Sequence, residues 1–314
     1  MANIKEIQDR KKSVNDTLKI TNAMYMISSN KLRKARKMLA DTEPYFYAVQ
    51  AMISRVIRHV PENTTDIFLD AHSDIPEEKR KKGYLVLTGD KGLAGAYNHN
   101  VLKLAEDHIN ANDAPYKLYV VGEMGRQYFM SKKIPVDEQF HYTAQNPTMH
   151  RARNISSTII GDYVNNEIDE AYMIYTVMKN SMVCETKFVK LLPLEREKKT
   201  NLSKDAIALQ NASMREEFLM TPSPEAVLDN IVPSLTTGFI YGALVEAFCS
   251  VQNSRMMAMD SANDNAKQMI HDLDMEYNRK RQSMITQEIT EVASGAKALK
   301  QAAESARMRR GNLS

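Results

Sequence analysis

The 314-residue sequence has no tryptophan, only two cysteines, ten prolines and eleven glycines, and aromatic residues make up just 7% of it. Two cysteines, Cys184 and Cys249, cannot build a disulfide framework, and they fit a reducing compartment. No C-x-x-C is present, and the seven histidines show neither H-x-x-H nor H-E-x-x-H spacing, so a zinc site is not expected. The scarcity of glycine and proline argues for long uninterrupted elements rather than a loop-rich fold. No apolar run approaches the roughly 18 residues of a membrane span, and no signal or transit peptide precedes the first helical pattern. The composition reads as a soluble, bacterial, cytoplasmic protein without a transmembrane segment. A net charge of +3 gives no sign of a nucleic-acid binder, since no aromatic interleaving or recognition motif accompanies it.

What is abundant is methionine, with twenty residues, a flexible filler suited to contacts that adapt or slide. The charge is also uneven. Residues 3–58 carry twelve Lys/Arg against five Asp/Glu, whereas residues 224–314 carry ten against eleven. A basic first segment implies an acidic partner.

Between Asn3 and His59 there is no glycine, and Pro44 is the only proline. Steps of three and four from Ile4 through Ile7, Val14, Leu18, Tyr25, Leu32, Ala35 and Leu39 to Val56 trace a heptad seam, with twelve of sixteen positions apolar. Such a seam predicts a coiled-coil helix of about 80 Å, with Pro44 kinking it or dividing it into two pieces. A matching seam runs from Ile231 through Leu235, Val245, Cys249, Met259, Asn263 and Leu273 to Tyr277. Past Lys280 the apolar set shifts to Ile285, Ile289, Val292, Ala296 and Leu299, a stutter that would locally unwind a supercoil.

Between these helices the period changes to that of strands, at 84–88, 116–122, 171–178 and 187–194, with helical stretches near 97–111, 123–133 and 150–167. The alternation predicts an α/β domain with a largely parallel sheet. The expected organisation is an N-terminal coiled-coil helix over 1–60, a Rossmann-like α/β domain over 61–213 and a C-terminal coiled-coil helix over 214–314. The terminal helices would wind antiparallel around each other, with the α/β domain as an insertion between them. Residues 61–83 lead into the domain, and 195–213 read as an exposed exit.

One loop could carry chemistry. "LVLTGDKGLAGAYNHN" (85–100) is an apolar strand, then Gly89, Gly92 and Gly95, then a helix start, the layout of a phosphate cradle. Neither phosphate motif is complete. Lys91 precedes Gly92, with Leu93-Ala94 where a Walker loop needs Lys-Ser/Thr, and Gly89 and Gly92 are three apart where a dinucleotide fingerprint needs two. The loop therefore reads as a turn, and neither a catalytic residue, a cofactor nor a metal is expected. Asp272, Asp274 and Glu276 read as a solvated helix flank. In "NKLRKARK" (30–37), Lys31, Arg33, Lys34, Arg36 and Lys37 surround the seam residues Leu32 and Ala35, either as a solvated face or as a docking surface for an acidic partner.

Both ends of the chain resemble one family. "KITNAMYMISSNKLRKAR" (19–36) is similar to the amino-terminal helix of the γ subunits of F-type ATP synthases. "RKRQSMITQEITEVASGAKA" (279–298) resembles their carboxyl-terminal signature, with Ile285, Thr286, Glu288, Glu291, Gly295 and Ala296 in its places. "TGDKGLAGAYN" resembles their turn after the first strand. The chain continues beyond the signature as "KALKQAAESARMRRGNLS".

The resemblance implies a non-catalytic central rotor at the cytoplasmic face of a bacterial membrane, coupling ion flow to ATP synthesis and hydrolysis. Its implied partners are the catalytic β and non-catalytic α ring subunits, the ε subunit and the membrane c ring. It also implies that Met24, Arg33 and Lys34 face an acidic loop of the catalytic subunit. Arg255, Arg281, Gln282, Thr286, Glu288, Thr290 and Glu291 would be coupling contacts around the ring. The alternatives are a stand-alone coiled-coil scaffold with a Rossmann-like domain, or a small nucleotide-binding enzyme carrying helical arms.

Overall fold

A computed structural model describes residues 4–60, 64, 66–69, 75–111, 114–180, 183–194, 220–221 and 223–311. The exit segment 195–213 lies outside them. The elements are α1 (Ile4–His59), β1 (Lys82–Leu87), α2 (Tyr97–Asn110), β2 (Tyr116–Val121), α3 (Glu123–Ser131), α4 (Met149–Val164), β3 (Glu170–Met178), β4 (Cys184–Leu192) and α5 (Pro224–Gly311). A single 3-10 turn, Glu77–Lys79, precedes β1. The chain forms two compact units, Met26–Ala258 and Met1–Tyr25 with Met259–Ser314, and both long helices contribute to each.

The unit 26–258 is built on a four-stranded sheet in the order β2-β1-β3-β4. β1 pairs parallel with β2 and with β3, as the strand-helix alternation requires, while β4 returns antiparallel along β3. Strand β1 is buried at every position, so its alternation sends side chains to two cores instead of one. Tyr84 and Val86 join Val101, Leu102 and Ala105 of α2 and Phe129 of α3 on one face. Leu85 and Leu87 join Ile155 and Ile159 of α4, Val56 of α1, and Leu228, Val232, Ile240 and Leu244 of α5 on the other. The result is a three-layer sandwich in which the first third of α5 is a core helix.

That burial accounts for one departure from the sequence reading. α5 contains an eighteen-residue window apolar enough by length and composition to cross a membrane, but 61% of it is buried inside the protein. A second departure is at Pro44. α1 runs through it without a break, because Pro44 is exposed and the helix gives up only one amide hydrogen bond there.

In the other unit α1 and α5 lie antiparallel. Gln8 donates to the Tyr277 hydroxyl at 3.2 Å, Lys11 pairs with Asp274 at 2.5 Å, and Thr21 Oγ1 donates to Asn263 Oδ1 at 2.5 Å. Partner numbers on α5 fall as those on α1 rise. Ile7, Asn263, Ala266 and Leu273 are buried between the two helices, and Val14, Leu18, Ile270 and Tyr277 are half-buried, as the heptad seams predict. Asp274 thus leaves the solvated flank to which the sequence assigned it, since it carries an ion pair with the opposite helix. Both partners are over 40% exposed, so the pair sets register more than it stabilises, at about 0–1 kcal/mol.

The shifted seam behaves differently. Past Lys280 every side chain through Ala302 is exposed, including Met284 (49%), Ile285 (48%), Ile289 (64%), Val292 (73%) and Leu299 (74%). The stripe expected to be internal therefore faces outward, because α1 offers it no partner among the described residues.

Candidate functional site

The glycine loop leaves β1 at Thr88 and turns through Leu93 (φ 60°) and Gly95 (φ 55°) into α2. A phosphate cradle needs loop and helix amides aimed into an open crevice at the carboxyl ends of the strands. Here those groups are already engaged. The Gly89 amide donates to Asn98 Oδ1 at 2.9 Å. At the start of α3, the Met124 amide donates to the Gly89 carbonyl at 3.1 Å and the Gly125 amide to Thr88 Oγ1 at 3.0 Å. The crevice is also filled. Helix α5 lies against the loop so closely that a Cβ on Gly89 would stand 3.1 Å from Val251, and one on Gly95 3.9 Å from Ala258. About 50 Å³ remains among Lys31, Asp90, Lys91, Gln252 and Arg255, and about 240 Å³ lies beyond Asp90 among Gly122, Glu123, Arg126 and Tyr142. The first suits a water or two, and neither reaches the roughly 300 Å³ at which ligand pockets start. The loop is a turn.

The turn is held by two charged side chains. Arg255 of α5 donates from Nη2 to the Lys91 carbonyl (3.0 Å), from Nε to the Gly92 carbonyl (3.3 Å) and from Nη1 to Gln252 Oε1 (3.4 Å). Burial lowers the Arg255 pKa from its ordinary value, and the nearby Asp90 carboxylate acts in the opposite direction. Asp90 accepts from Thr143 Oγ1 (2.5 Å) and from the amides of Ala144 (3.0 Å) and Gln145 (3.1 Å). Of the residues expected to face a partner, Arg255 is therefore the one whose guanidinium is committed to its own chain.

The others are laid out along the two long helices. Met24 is half-buried, and Arg33 and Lys34 are exposed while Leu32 (4%) and Ala35 (0%) are buried beneath them. The basic run is therefore a ridge of cations on a packed helix. Arg281, Gln282, Thr286, Glu288, Thr290 and Glu291 are all exposed on the part of α5 that has no helical partner among the described residues. Their hydrogen bonds stay within the helix: Thr286 Oγ1 donates to the Gln282 carbonyl, Thr290 Oγ1 to the Thr286 carbonyl, and Gln287 to Glu291 Oε1. At 100° per residue Arg281 and Glu288 point within about 20° of each other, beside the apolar stripe. These six share the stretch 281–291 of α5 but point to several of its faces, and they belong to a different unit from Arg255.

Sequence reading missed Asp90 and Thr88, whose roles are tertiary. Thr88 Oγ1 donates to the Val121 carbonyl at 2.9 Å while accepting from Gly125, which joins β1, β2 and α3 at one point. It also missed the cluster below β2, where Lys117 pairs with Asp162 and Glu167 at 2.8 Å each and the Tyr119 hydroxyl donates to Asp162. Period and composition carry no signal for partners that lie tens of residues away. The aspartate beside a glycine turn was the one available hint. Cys249 is buried, and its thiol is pushed up to about 12, first by that burial, so it is inert at neutral pH.

Residues 3–299 match the ATP synthase family model. The ATP synthase gamma chain of Ruminiclostridium cellulolyticum is 43% identical over 299 residues, covering 95% of this chain and 99% of that one. That of Acetivibrio thermocellus is 41% identical over 303 residues, covering 96% and 100%. The sodium ion specific gamma chain of Acetobacterium woodii is 36% identical over 307 residues, covering 95% and 99%. Among solved structures, a chain of the Euglena gracilis mitochondrial ATP synthase (OSCP/F1/c-ring, rotational state 3) shares the fold with a TM-score of 0.64 at 14% identity, over 94% of both chains. A chain of the Tetrahymena thermophila mitochondrial ATP synthase central stalk and c-ring does so at 0.54 and 22%, covering 77% of this chain and 99% of that one. Both are below the identity at which anything beyond fold transfers. The sequence matches run over nearly the whole length and include both terminal helices, and on them the chain belongs to the ATP synthase γ-chain family.

Proposed function

We propose that this chain is the rotor of a bacterial F-type ATP synthase and has no catalytic site of its own. In that role it transmits rotation of a membrane c ring to the nucleotide sites of a surrounding ring of α and β subunits. The observation that carries this reading is the reach of α5 that no other helix covers among the described residues. From Arg281 to Ala302 a continuous helix exposes all its side chains, five of them large and apolar. An exposed apolar stripe marks a protein contact, and here it is flanked by the polar row Arg281, Glu288 and Glu291. A surface in which methionine, isoleucine and valine alternate with short polar groups can be presented to one bearing in successive orientations without locking. The closed crevice at the glycine loop supports the non-catalytic assignment. The cationic ridge at Arg33 and Lys34 suits an acidic loop of the catalytic subunit, and the sheet-bearing unit would meet ε and the c ring on the cytoplasmic side.

The test is co-assembly with the α and β subunits encoded by the same genome. A bead would be coupled through Lys103→Cys, exposed on α2, in a chain whose own cysteines are replaced (Cys184→Ser, Cys249→Ala). ATP should drive unidirectional rotation of the bead. A ring that forms without this chain, or that hydrolyses ATP with the bead stationary, would overturn the proposal.

A further inference from the structure

The carboxyl ends of parallel strands are where α/β folds hold a ligand, and beside the glycine loop this chain has set its own helix in that place. The contacts run along α5, with Glu246 and Ser250 on one side of it and Arg255 on another. Glu246 accepts from the Met178 amide at 3.3 Å, Ser250 donates to the Thr176 carbonyl at 3.0 Å, and Arg255 grips the carbonyls of Lys91 and Gly92. From the glycine loop the path continues through Asp90 to residues 143–145. Arg151 then returns it to α4 by donating to the carbonyls of Gln145 (2.6 Å) and Thr143 (3.0 Å).

We propose that Arg255 and Asp90 form one torsion-bearing joint, in which the glycine loop hands twisting of the sheet and α4 to helix α5. The inference rests on the rotor reading above and adds to it a residue pair that acts inside the chain. The physical ground is directionality. Apolar packing resists separation, but it is non-directional and tolerates sliding. A guanidinium fork on two carbonyls and a carboxylate on three donors hold only in one geometry, and such charge-assisted bonds are the stronger kind. The glycines let α5 come within reach: Gly89 already has Val251 at 3.1 Å from where its Cβ would be, so a side chain there would press on α5. Arg255 is thus a positioning residue, and its effect on coupling passes through the loop.

The experiment uses the assembled complex with the bead on Lys103→Cys and the ring stalled by a non-hydrolysable ATP analogue, and it reads the angular variance of the bead. Arg255→Ala and Asp90→Ala should each widen the variance about twofold through loss of charge-assisted bonds. The double variant should be no wider than the wider single, because both break one path. Arg255→Lys, which keeps one directed donor, should recover part of the loss, and the isosteric Asp90→Asn serves if Asp90→Ala fails to fold. A silent Asp90 variant beside an affected Arg255 variant would mean that Arg255 acts by touching the ring, and the joint would fall. Additive widening, or unchanged variance in both, would also sink it. A wild-type complex that never rotates would defeat the rotor reading and the joint together, whereas a rotating wild type with unchanged variants defeats the joint alone.

Discussion

Replacing Gly122 by alanine tests how rigidly the crevice of the sheet is closed. Gly122 leads from β2 into α3 with φ at +97°, where an L side chain is strained. An alanine Cβ would stand 2.4 Å from the Thr88 carbonyl oxygen, 2.7 Å from its Oγ1 and 2.8 Å from its carbonyl carbon. Thr88 cannot give way. Its amide donates to the Val121 carbonyl at 2.8 Å, and its hydroxyl is engaged with Val121 and Gly125. A left-handed L residue costs about 1–2 kcal/mol and overpacking about 1–3, so the expected loss is about 2–5 kcal/mol. At about 2–4 °C per kcal/mol for a unit of this size, the melting temperature should fall by about 4–20 °C. The assay is thermal unfolding followed by near-ultraviolet tyrosine dichroism. Gly161→Ala is the control, since it lies within α4 with no atom inside 4 Å of its Cβ position and should gain about 0.5–1 kcal/mol. A Gly122→Ala protein melting with the parent, or a Gly161→Ala protein melting as low as Gly122→Ala, would refute the reasoning.

Further expectations concern the surface, the interior and nucleotide binding. Arg281→Ala and Glu288→Ala, exposed in the isolated chain, should leave its melting unchanged yet lower ATP turnover of the assembled ring several-fold; parental turnover in both would make the polar row mere solvated surface. Glu170 is 3% exposed. Burial pushes its pKa up, but the Tyr172 hydroxyl, Lys190 and Arg80 together bring it below the ordinary value. Its stabilisation is therefore present above the unfolded carboxylate's pKa, near 4.5, and is lost as pH falls through the lower folded value. The stability gap between wild type and Glu170→Gln should shrink in acid, and a gap that widens toward pH 3 would contradict the pairing. Calorimetry on the isolated chain should detect no saturable ATP binding; binding abolished by Gly92→Val would reopen the glycine loop as a nucleotide site.

The heptad seams were legible because a coiled coil writes its partner into a local period. Ile7, Leu32, Ala35, Val245, Met259 and Leu273 are all buried where the three-four steps placed them. The strands were legible to within a few residues, since β1 and β3 are apolar on both faces and could only be interior. The reversed direction of β4 was not, because strand polarity depends on pairing across the sheet. The shifted stripe at Ile285, Ile289 and Val292 shows the limit of periodicity, which reports that a face will be covered without saying by whom. Arg255 illustrates the same gap from the polar side. Its number along a helix gives no hint that it meets the carbonyls of Lys91 and Gly92 more than 160 residues away.

The antiparallel pairing also has a consequence in time. The bond between Gln8 and Tyr277 spans 269 residues and that between Thr21 and Asn263 spans 242, with the whole sheet between. At a synthesis rate of about 5–20 residues per second, the first helix emerges roughly 10–50 seconds before its partner exists. In that interval Ile7, Val14 and Leu18 have nothing to pack against, and this first part of α1 is helical by propensity alone. The sheet, whose contacts close over shorter loops, can form first. Pairing of the terminal helices is then the last step of folding, zipping from the sheet toward the amino terminus as α5 is completed. Slowing translation before Met259 should prolong the aggregation-prone interval, whereas supplying residues 259–311 as a separate peptide should shorten it.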